Sequence, residues 1–437
     1  MIAGNLLQQL YNIADTLIVG QALGRNALAA VGSAYTLMVF LTSIFLGLSM
    51  GAGALFSICL GRGNKKALRA AVAHAFALIG AVTLVLNLSV YLLADPILRF
   101  LQIPHELYSS MRDYLLIIFG GLAATFLYNF FACLLRAVGN SVVPLWFLGI
   151  SALLNIGLDL ACIIVFDMGV FGAAFATVFS QGVAGVGSLL YILRHYHELR
   201  WSKDEGAFSL PHCAKLCSMG IPMGLQCSIT AIGSVVLQGA VNGLGSDIVA
   251  AQTAGSKAAQ FLCVPLESIG TAMTTYASQN MGAHDLKRVD RGVYTALGIG
   301  CVYSVASFLI LRFTDKLLIG LFLEAKETAI MANAQSFIFW NSVFYIPLAV
   351  LIIYRYTIQG LGYSGLAMFA GVAEMVARAM VGFWFVPLWG YFAACIASPV
   401  AWFFACFFLI PAYFVVRKRL QKEMDIEKEH DARTANA

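Results

Sequence analysis

The chain has 437 residues and a net charge of +5, with 60% of its residues hydrophobic and 11% charged, far from the roughly 45–50% and about 25% of soluble domains. This excludes a water-soluble protein and leaves enough apolar chain for twelve membrane passes of about 20 residues each. The modest positive charge sits in particular connections and is not interleaved with aromatic residues, which points away from nucleic acid.

In chain order the predicted apolar segments are 1–19, 28–59, 70–94, 113–135, 143–166, 169–193, 214–240, 248–279, 291–313, 330–354, 364–386 and 389–416. The second and eighth are long enough to tilt strongly. Pro222, Pro265 and Pro347 are predicted to kink or loosen segments 7, 8 and 10, and the polar residues from about Gln421 read as a disordered tail. The fold class is therefore all-α, a polytopic membrane protein of twelve transmembrane helices. The ten cysteines lie mostly within apolar runs and read as small buried hydrophobes with no disulfide or metal role.

Lys and Arg number 19 in the even-numbered connections and tail and 6 in the odd-numbered ones. Both termini are therefore expected in the cytoplasm of a cell whose plasma (inner) membrane holds the protein. Arg355, placed just after segment 10, counts among the cytoplasmic charges. No positive n-region or cleavage site marks a signal peptide.

Leu23-Gly24 and Ala29-Ala30 match Leu244-Gly245 and Ala250-Ala251; Gly61 and Lys66 match Gly282 and Lys287; Gly169, Phe171 and Ala173 match Gly390, Phe392 and Ala394. All these pairs lie 221 residues apart. An even number of spans per repeat predicts two pseudo-symmetric six-helix lobes related by an axis along the membrane normal, with a cavity between them. The lobes are expected at 1–200 and 201–416, hinged at 194–215, with a cytoplasmic tail at 417–437. Position 1 corresponds to Pro222, and segment 7 has about ten further residues before it, so the first helix reads as truncated and a native start upstream of Met1 is expected.

Ionisable groups inside spans cost about 2.5–3.5 kcal/mol each at a helix centre and are kept only with compensation. Six qualify: Asp15, Asp159, Lys257, Glu267, Glu374 and Arg378. Segment 1 carries Asn5, Gln8, Asn12 and Asp15 within an arc of about 80°, and segment 5 carries Ser151, Asn155 and Asp159 at successive i,i+4 positions. Counting residues to the following loops puts both aspartates in the outer half of the bilayer, within about one turn of each other in depth. Two carboxylates in one poorly hydrated pocket do not both ionise readily, and a proton or a Na⁺ relieves the conflict. Asn12 and Asn155 add neutral oxygens suited to either ion. The second half has Val236 in place of Asp15, and Val376 and Met380 in place of Asn155 and Asp159, so such a site belongs to the first half alone.

Glu374 and Arg378, at i,i+4, read as a structural ion pair. Lys257 and Glu267 lie too far apart along one helix to pair, and either could face a substrate cavity. Tyr11, Tyr35, Tyr128 and Phe131 could line an aromatic pocket, but packing is the commoner role for such residues. Gly47-Leu48-Ser49-Met50-Gly51 fits a nucleophile elbow with His74 as an imagined base, yet it fits small-xxx-small helix packing better. No Walker A lysine motif occurs, so ATP coupling and enzymatic activity are not expected and ion-driven transport is the natural class.

The chain resembles the multidrug and toxic compound extrusion (MATE) transporters over nearly its whole length. The resemblance rests on Gln9-Leu10-Tyr11-Asn12-Ile13-Ala14-Asp15-Thr16 with Val19-Gly20, on Ala29-Ala30-Val31-Gly32, on Arg136-Ala137-Val138-Gly139-Asn140, on Asn155-Ile156-Gly157-Leu158-Asp159, and on Gln279-Asn280-Met281-Gly282-Ala283. It implies two lobes facing a central cavity, alternating access, and export of amphipathic, often cationic compounds in exchange for Na⁺ or H⁺. No other cofactor is implied. The coupling-ion residues it implies are Asp15, Asn155 and Asp159, to which the spacing adds Asn12; the substrate cavity would draw on Gln8, Tyr11, Tyr35, Tyr128, Glu267 and Lys257. Some family members carry further carboxylates in helices 7 and 10, where Gln226 and the 360–364 stretch offer none. Partners are expected to be a small-molecule substrate and membrane lipid, with the protein a monomer. The alternative is a flippase for lipid-linked oligosaccharide or peptidoglycan precursors on a related fold; it should have a strongly basic cavity, and only Lys257 and Arg378 are read as intramembrane cations.

Overall fold

The computed structural model describes residues 2–100, 105–199, 210–320 and 328–435; within these helices the side chains of residues 13–17 and most of 19–41, with a few others, lie outside the described set. Helices α1 (Ile2–Gly61), α2 (Lys65–Phe100), α3 (His105–Gly120), α4 (Leu122–Ala137), α5 (Val142–Asp159) and α6 (Gly169–His195) precede α7 (Leu210–Asn242). They are followed by α8 (Ser246–Gly282), α9 (Leu286–Gly320), α10 (Thr328–Val343), α11 (Tyr345–Gly360), α12 (Ser364–Met380), the short α13 (Val386–Trp389) and α14 (Tyr391–Ala435). Segments 1 and 2 both fall in α1. Segment 4 is the pair α3 and α4, bent by 48°, and segment 10 is the pair α10 and α11, bent by 53°. The second bend falls at Phe344, three residues before Pro347, whose missing N–H cannot close the preceding turn. Pro222 and Pro265 are carried inside α7 and α8.

Among the described residues eight helices are long and apolar enough to cross a membrane, ten when each bent pair counts as one span. The other two predicted passes are the first part of α1 and α8. The latter is long enough at 37 residues but is diluted by Asp247, Gln252, Lys257, Gln260 and Glu267.

The 221-residue repeat reappears in the backbone. Gly169 (φ 58°) and Gly390 (φ 60°) both take the left-handed conformation, as do Gly63 (φ 67°) and its counterpart His284 (φ 58°). A π-helical turn follows α5 at Leu160–Val165 and α12 at Val381–Phe385. Left-handed residues and wide turns are costly for most side chains, so their recurrence at one spacing is a signature of a duplicated half.

Chain contacts group into two compact units, Met1–Gly224 and Leu225–Ala437, the division falling within α7. In the first, α1 packs on α2 to α6, and α6 on α4 and α5. Its core holds the rings of Phe56, Phe126, Phe130 and Phe131, with the exposed Phe76 packed over them, at centroid separations of 5.2–6.0 Å. Phe131 is thus a packing residue. In the second unit α8, α9, α10, α11 and α14 bury Met273, Tyr345, Ile352, Trp402 and Tyr413. Exposed Leu92, Val165, Phe313 and Phe407 are the apolar exterior that lipid requires.

Gly47 and Gly51 of α1 meet Gly220 and Gly224 of α7 backbone to backbone. A Cβ on Gly51 would lie 2.6 Å from the Gly220 Cα, and one on Gly220 would lie 2.6 Å from the Leu48 Cα. This is the small-residue crossing read from the sequence. Ser49, fully buried, donates its hydroxyl to the Phe45 carbonyl at 3.0 Å within its own helix, while His74 stacks on His212 with centroids 5.4 Å apart. Gly220→Val is expected to destabilise the protein by about 1–3 kcal/mol through overpacking, whereas Ser49→Ala should stay within about 0.5 kcal/mol of wild type; thermal unfolding in detergent measures both. A Gly220→Val protein as stable as wild type would mean the helices are free to part.

The disorder expected beyond Gln421 is not what the structure shows. The polar tail from Gln421 is helical through Ala435. Arg419 donates to Glu423, and Gln421 to Asp425, both at 2.9 Å and i,i+4; such pairs, with a helix-forming composition, carry α14 beyond its apolar part.

Candidate functional site

Helix α5 presents its polar residues inward and its apolar ones outward. Ser151, Asn155 and Asp159 are buried, the last two at 0% exposure, while Trp146, Ile150 and Leu153 on the other faces are exposed. Water would reverse this pattern; lipid outside and protein inside produce it. Asn140, just before the helix, accepts from the Val143 N–H at 3.1 Å and fixes its start. Asn155 donates from Nδ2 to the Thr177 hydroxyl of α6 at 3.4 Å. Asp159 is the last α-helical residue before the π-turn, a geometry that widens the helix by one residue per turn and recurs at functional positions. The turn closes through the Phe166 N–H on the Ala161 carbonyl and the Met168 N–H on the Cys162 carbonyl, at 3.0 and 2.9 Å.

Helix α1 lies along α5 in parallel. A Cβ on Gly4 would meet the Leu145 side chain at 3.6 Å, and one on Gly149 would meet the Leu7 side chain at 3.5 Å, so the two helices advance together. At about 1.5 Å per residue, Asp15 lies about 12 Å beyond Leu7 and Asp159 about 15 Å beyond Gly149. The backbone therefore carries the two aspartates at similar height. The side chains of Asp15 and Tyr35 lie outside the described residues. Tyr11, Asn12 and Tyr128 are half-buried and Gln8 is exposed.

The second half has a polar network of different composition. Glu374 of α12 accepts from Arg378 at 3.3 Å, as its spacing predicts, and also from Arg355 of α11. Arg378 in addition approaches the Thr230 carbonyl of α7 at 3.4 Å. Arg355 is 8% exposed and lies five residues inside α11, so its assignment to a connection is corrected. The apolar run ends at Tyr354, but the helix continues to Gly360 because Glu374 supplies the compensation that hydropathy cannot see. Nearby, the Tyr356 hydroxyl donates to the Glu267 carboxylate at 2.9 Å, and Gln359 donates to the Gln226 side-chain oxygen at 2.6 Å. Glu267 and Lys257 are both exposed on α8.

A helical membrane protein built from a duplicated half, with buried acid and amide groups on its inner faces, has the architecture of a small-molecule transporter. A family model places it: the MatE model matches residues 1–161 and again 222–384, two copies that begin 221 residues apart. The chain belongs to the MatE family, the MATE transporters. "Probable multidrug resistance protein YpnP" of Bacillus subtilis is 28% identical over 351 residues, covering 79% of this chain and 77% of that protein. "Probable multidrug resistance protein YoeA" of the same organism is 25% identical over 76% of this chain and 73% of its own. The solved outward-facing conformation of a multidrug resistance MATE family transporter of the MOP superfamily superposes with a TM-score of 0.90 at 19% identity, over 96% of this chain and 94% of that one. The last likeness is one of fold.

Proposed function

We propose that the protein is a cation-coupled antiporter that exports amphipathic, cationic drugs or toxic metabolites by alternating access, and that it catalyses no chemical reaction. The observation that carries this reading is the complete burial of Asn155 and Asp159 on one face of α5, beside a parallel α1 that brings Asp15 to similar height. An acid kept at 0% exposure is worth its insertion cost only if something positive visits it. Asp15, Asn155, Asp159 and Asn12 form the coupling-ion site in the first half, taking Na⁺ or H⁺. Gln8, Tyr11, Tyr35, Tyr128, Glu267 and Lys257 contribute to substrate binding. Multidrug resistance names among the relatives support the substrate class.

The flippase alternative calls for a cavity of free basic groups. Arg355 and Arg378 are both engaged by the same carboxylate, which weakens that reading. The test is transport in proteoliposomes with Na⁺ and pH gradients imposed separately, scored with several cationic dyes. Dye extrusion should follow one of the gradients and cease when it is collapsed; dye movement indifferent to both would sink the proposal.

A further inference from the structure

A cavity of about 280 Å³ opens between α9 and α10. Its walls are of two kinds. Phe308, Leu311, Ile338 and Phe339 are apolar, while Arg312 and Asp315 bring one charge of each sign. Asp315 is 8% exposed. Its carboxylate accepts from its neighbour's Lys316 N–H at 2.6 Å and from Gln335 Nε2 at 3.0 Å, two of roughly four acceptor positions. Arg312 stands one helical turn before it, yet among the described residues no ion pair joins the two. Among the described residues, then, the cavity holds an anion with spare acceptor sites and a guanidinium that no carboxylate engages, close together and not spent on each other.

Depth fixes the surroundings. From Arg291 to Arg312 along α9 is about 31 Å at 1.5 Å per residue, about the thickness of the hydrocarbon layer. Between them the exposed face is apolar, with Ile299, Val302 and Leu309, and Phe313 beyond Arg312 is 84% exposed. Beside the cavity Phe339 packs edge-on against Trp340 with centroids 5.5 Å apart, and Trp340 against Phe392 at 5.2 Å, an aromatic cluster typical of the headgroup level. The cavity therefore sits at the membrane interface opposite the one that holds Lys287, Arg288 and Arg291.

The geometry points to a binding site for an aminophospholipid headgroup, phosphatidylethanolamine in chemical class. The primary ammonium donates to the free acceptor positions of Asp315, the phosphate accepts from the fork of Arg312, and the acyl chains leave over Phe308, Leu311 and Phe339. A simple cation or a simple anion satisfies only one of the two charges. A choline headgroup carries the same charges but has no N–H to give to Asp315.

The experiment is native mass spectrometry of delipidated protein re-exposed to equimolar phosphatidylethanolamine, phosphatidylcholine and phosphatidylglycerol. The expected result is retention of phosphatidylethanolamine about tenfold over phosphatidylcholine, the size of one charge-assisted hydrogen bond. Asp315→Asn should erase that preference, Arg312→Gln should weaken both zwitterionic lipids alike, and the exposed Lys316→Gln should change neither. Equal retention of the three lipids, a preference for phosphatidylglycerol, or a preference that survives Asp315→Asn overturns the proposal. Soluble glycerophosphoethanolamine binding as tightly as the lipid overturns it in favour of a free zwitterion. Should a variant fail to fold, a photoactivatable phosphatidylethanolamine on the wild-type protein still decides: labels must fall on peptides within 308–342, and labels confined elsewhere reject the site. None of these readouts involves transport, so their failure is separate from failure of the antiporter reading.

Discussion

Asp159→Asn should reduce gradient-driven dye export to the level of empty liposomes while leaving the protein folded. Asparagine keeps the shape of the side chain and removes both its charge and its ability to bind and release a proton. If H⁺ is the coupling ion, exchange stops outright. If Na⁺ is, the loss of one charged ligand costs about 1.5–3 kcal/mol, or roughly ten- to a hundredfold in ion affinity. Stability should move the other way: Asp159 is 0% exposed, and relieving a buried charge leaves the melting temperature unchanged or higher. Asp15→Asn should have the same effect on export, and the double variant should add little, since groups that act as one unit are not additive. Asn155→Leu, which also removes the contact with Thr177, should impair export with a loss of stability. Export by Asp159→Asn at more than a tenth of the wild-type rate would remove the acid from the mechanism.

The passes and the repeat were legible because each rests on a local property, hydropathy or recurrence, that a chain displays without its fold. Pro347 announced the bend in segment 10, but the bend in segment 4 and the wide turns were not legible. Gly121 breaks segment 4 without a proline, at a point where a Cβ would run into Val178 of α6, and that neighbour is invisible in one dimension. The inward face of α5 was readable from spacing alone, because Ser151, Asn155 and Asp159 repeat at i,i+4 in an otherwise apolar run. Arg355 was missed for the opposite reason: it stands where an apolar run stops, and a cation at such a boundary reads as a loop residue. The available signal was Gly360-Leu361-Gly362, the turn that ends α11 with Gly362 at φ 88°. It lies far enough along to keep Arg355 inside the helix. The pairing of Glu267 with Tyr356 joins residues 89 positions apart, and no periodicity announces it.

Glu374→Gln should destabilise the protein by about 3–5 kcal/mol, the cost of removing one partner from a buried ionic group and leaving the other uncompensated. Glu374 is 3% exposed and the side chains of Arg355 and Arg378 are 10% and 8% exposed, so water is poorly placed to take over. The two arginines are not equivalent. Arg378 lies at 3.3 Å from the carboxylate, one turn along the same helix, and also reaches the Thr230 carbonyl, whereas Arg355 crosses from α11 to α12. Arg378→Met should therefore cost less than Arg355→Met, because the latter also removes a tie between two helices. Replacing all three with Met or Leu should recover most of the loss, as well-packed apolar residues commonly match a buried ionic triad. Thermal unfolding of detergent-solubilised protein gives the order, and dye export gives the role. A structural triad predicts that the triple variant transports once it is stable. If Glu374→Gln instead unfolds like wild type and fails to export, the working acid lies in the second half, and the assignment of coupling to Asp15 and Asp159 falls with it.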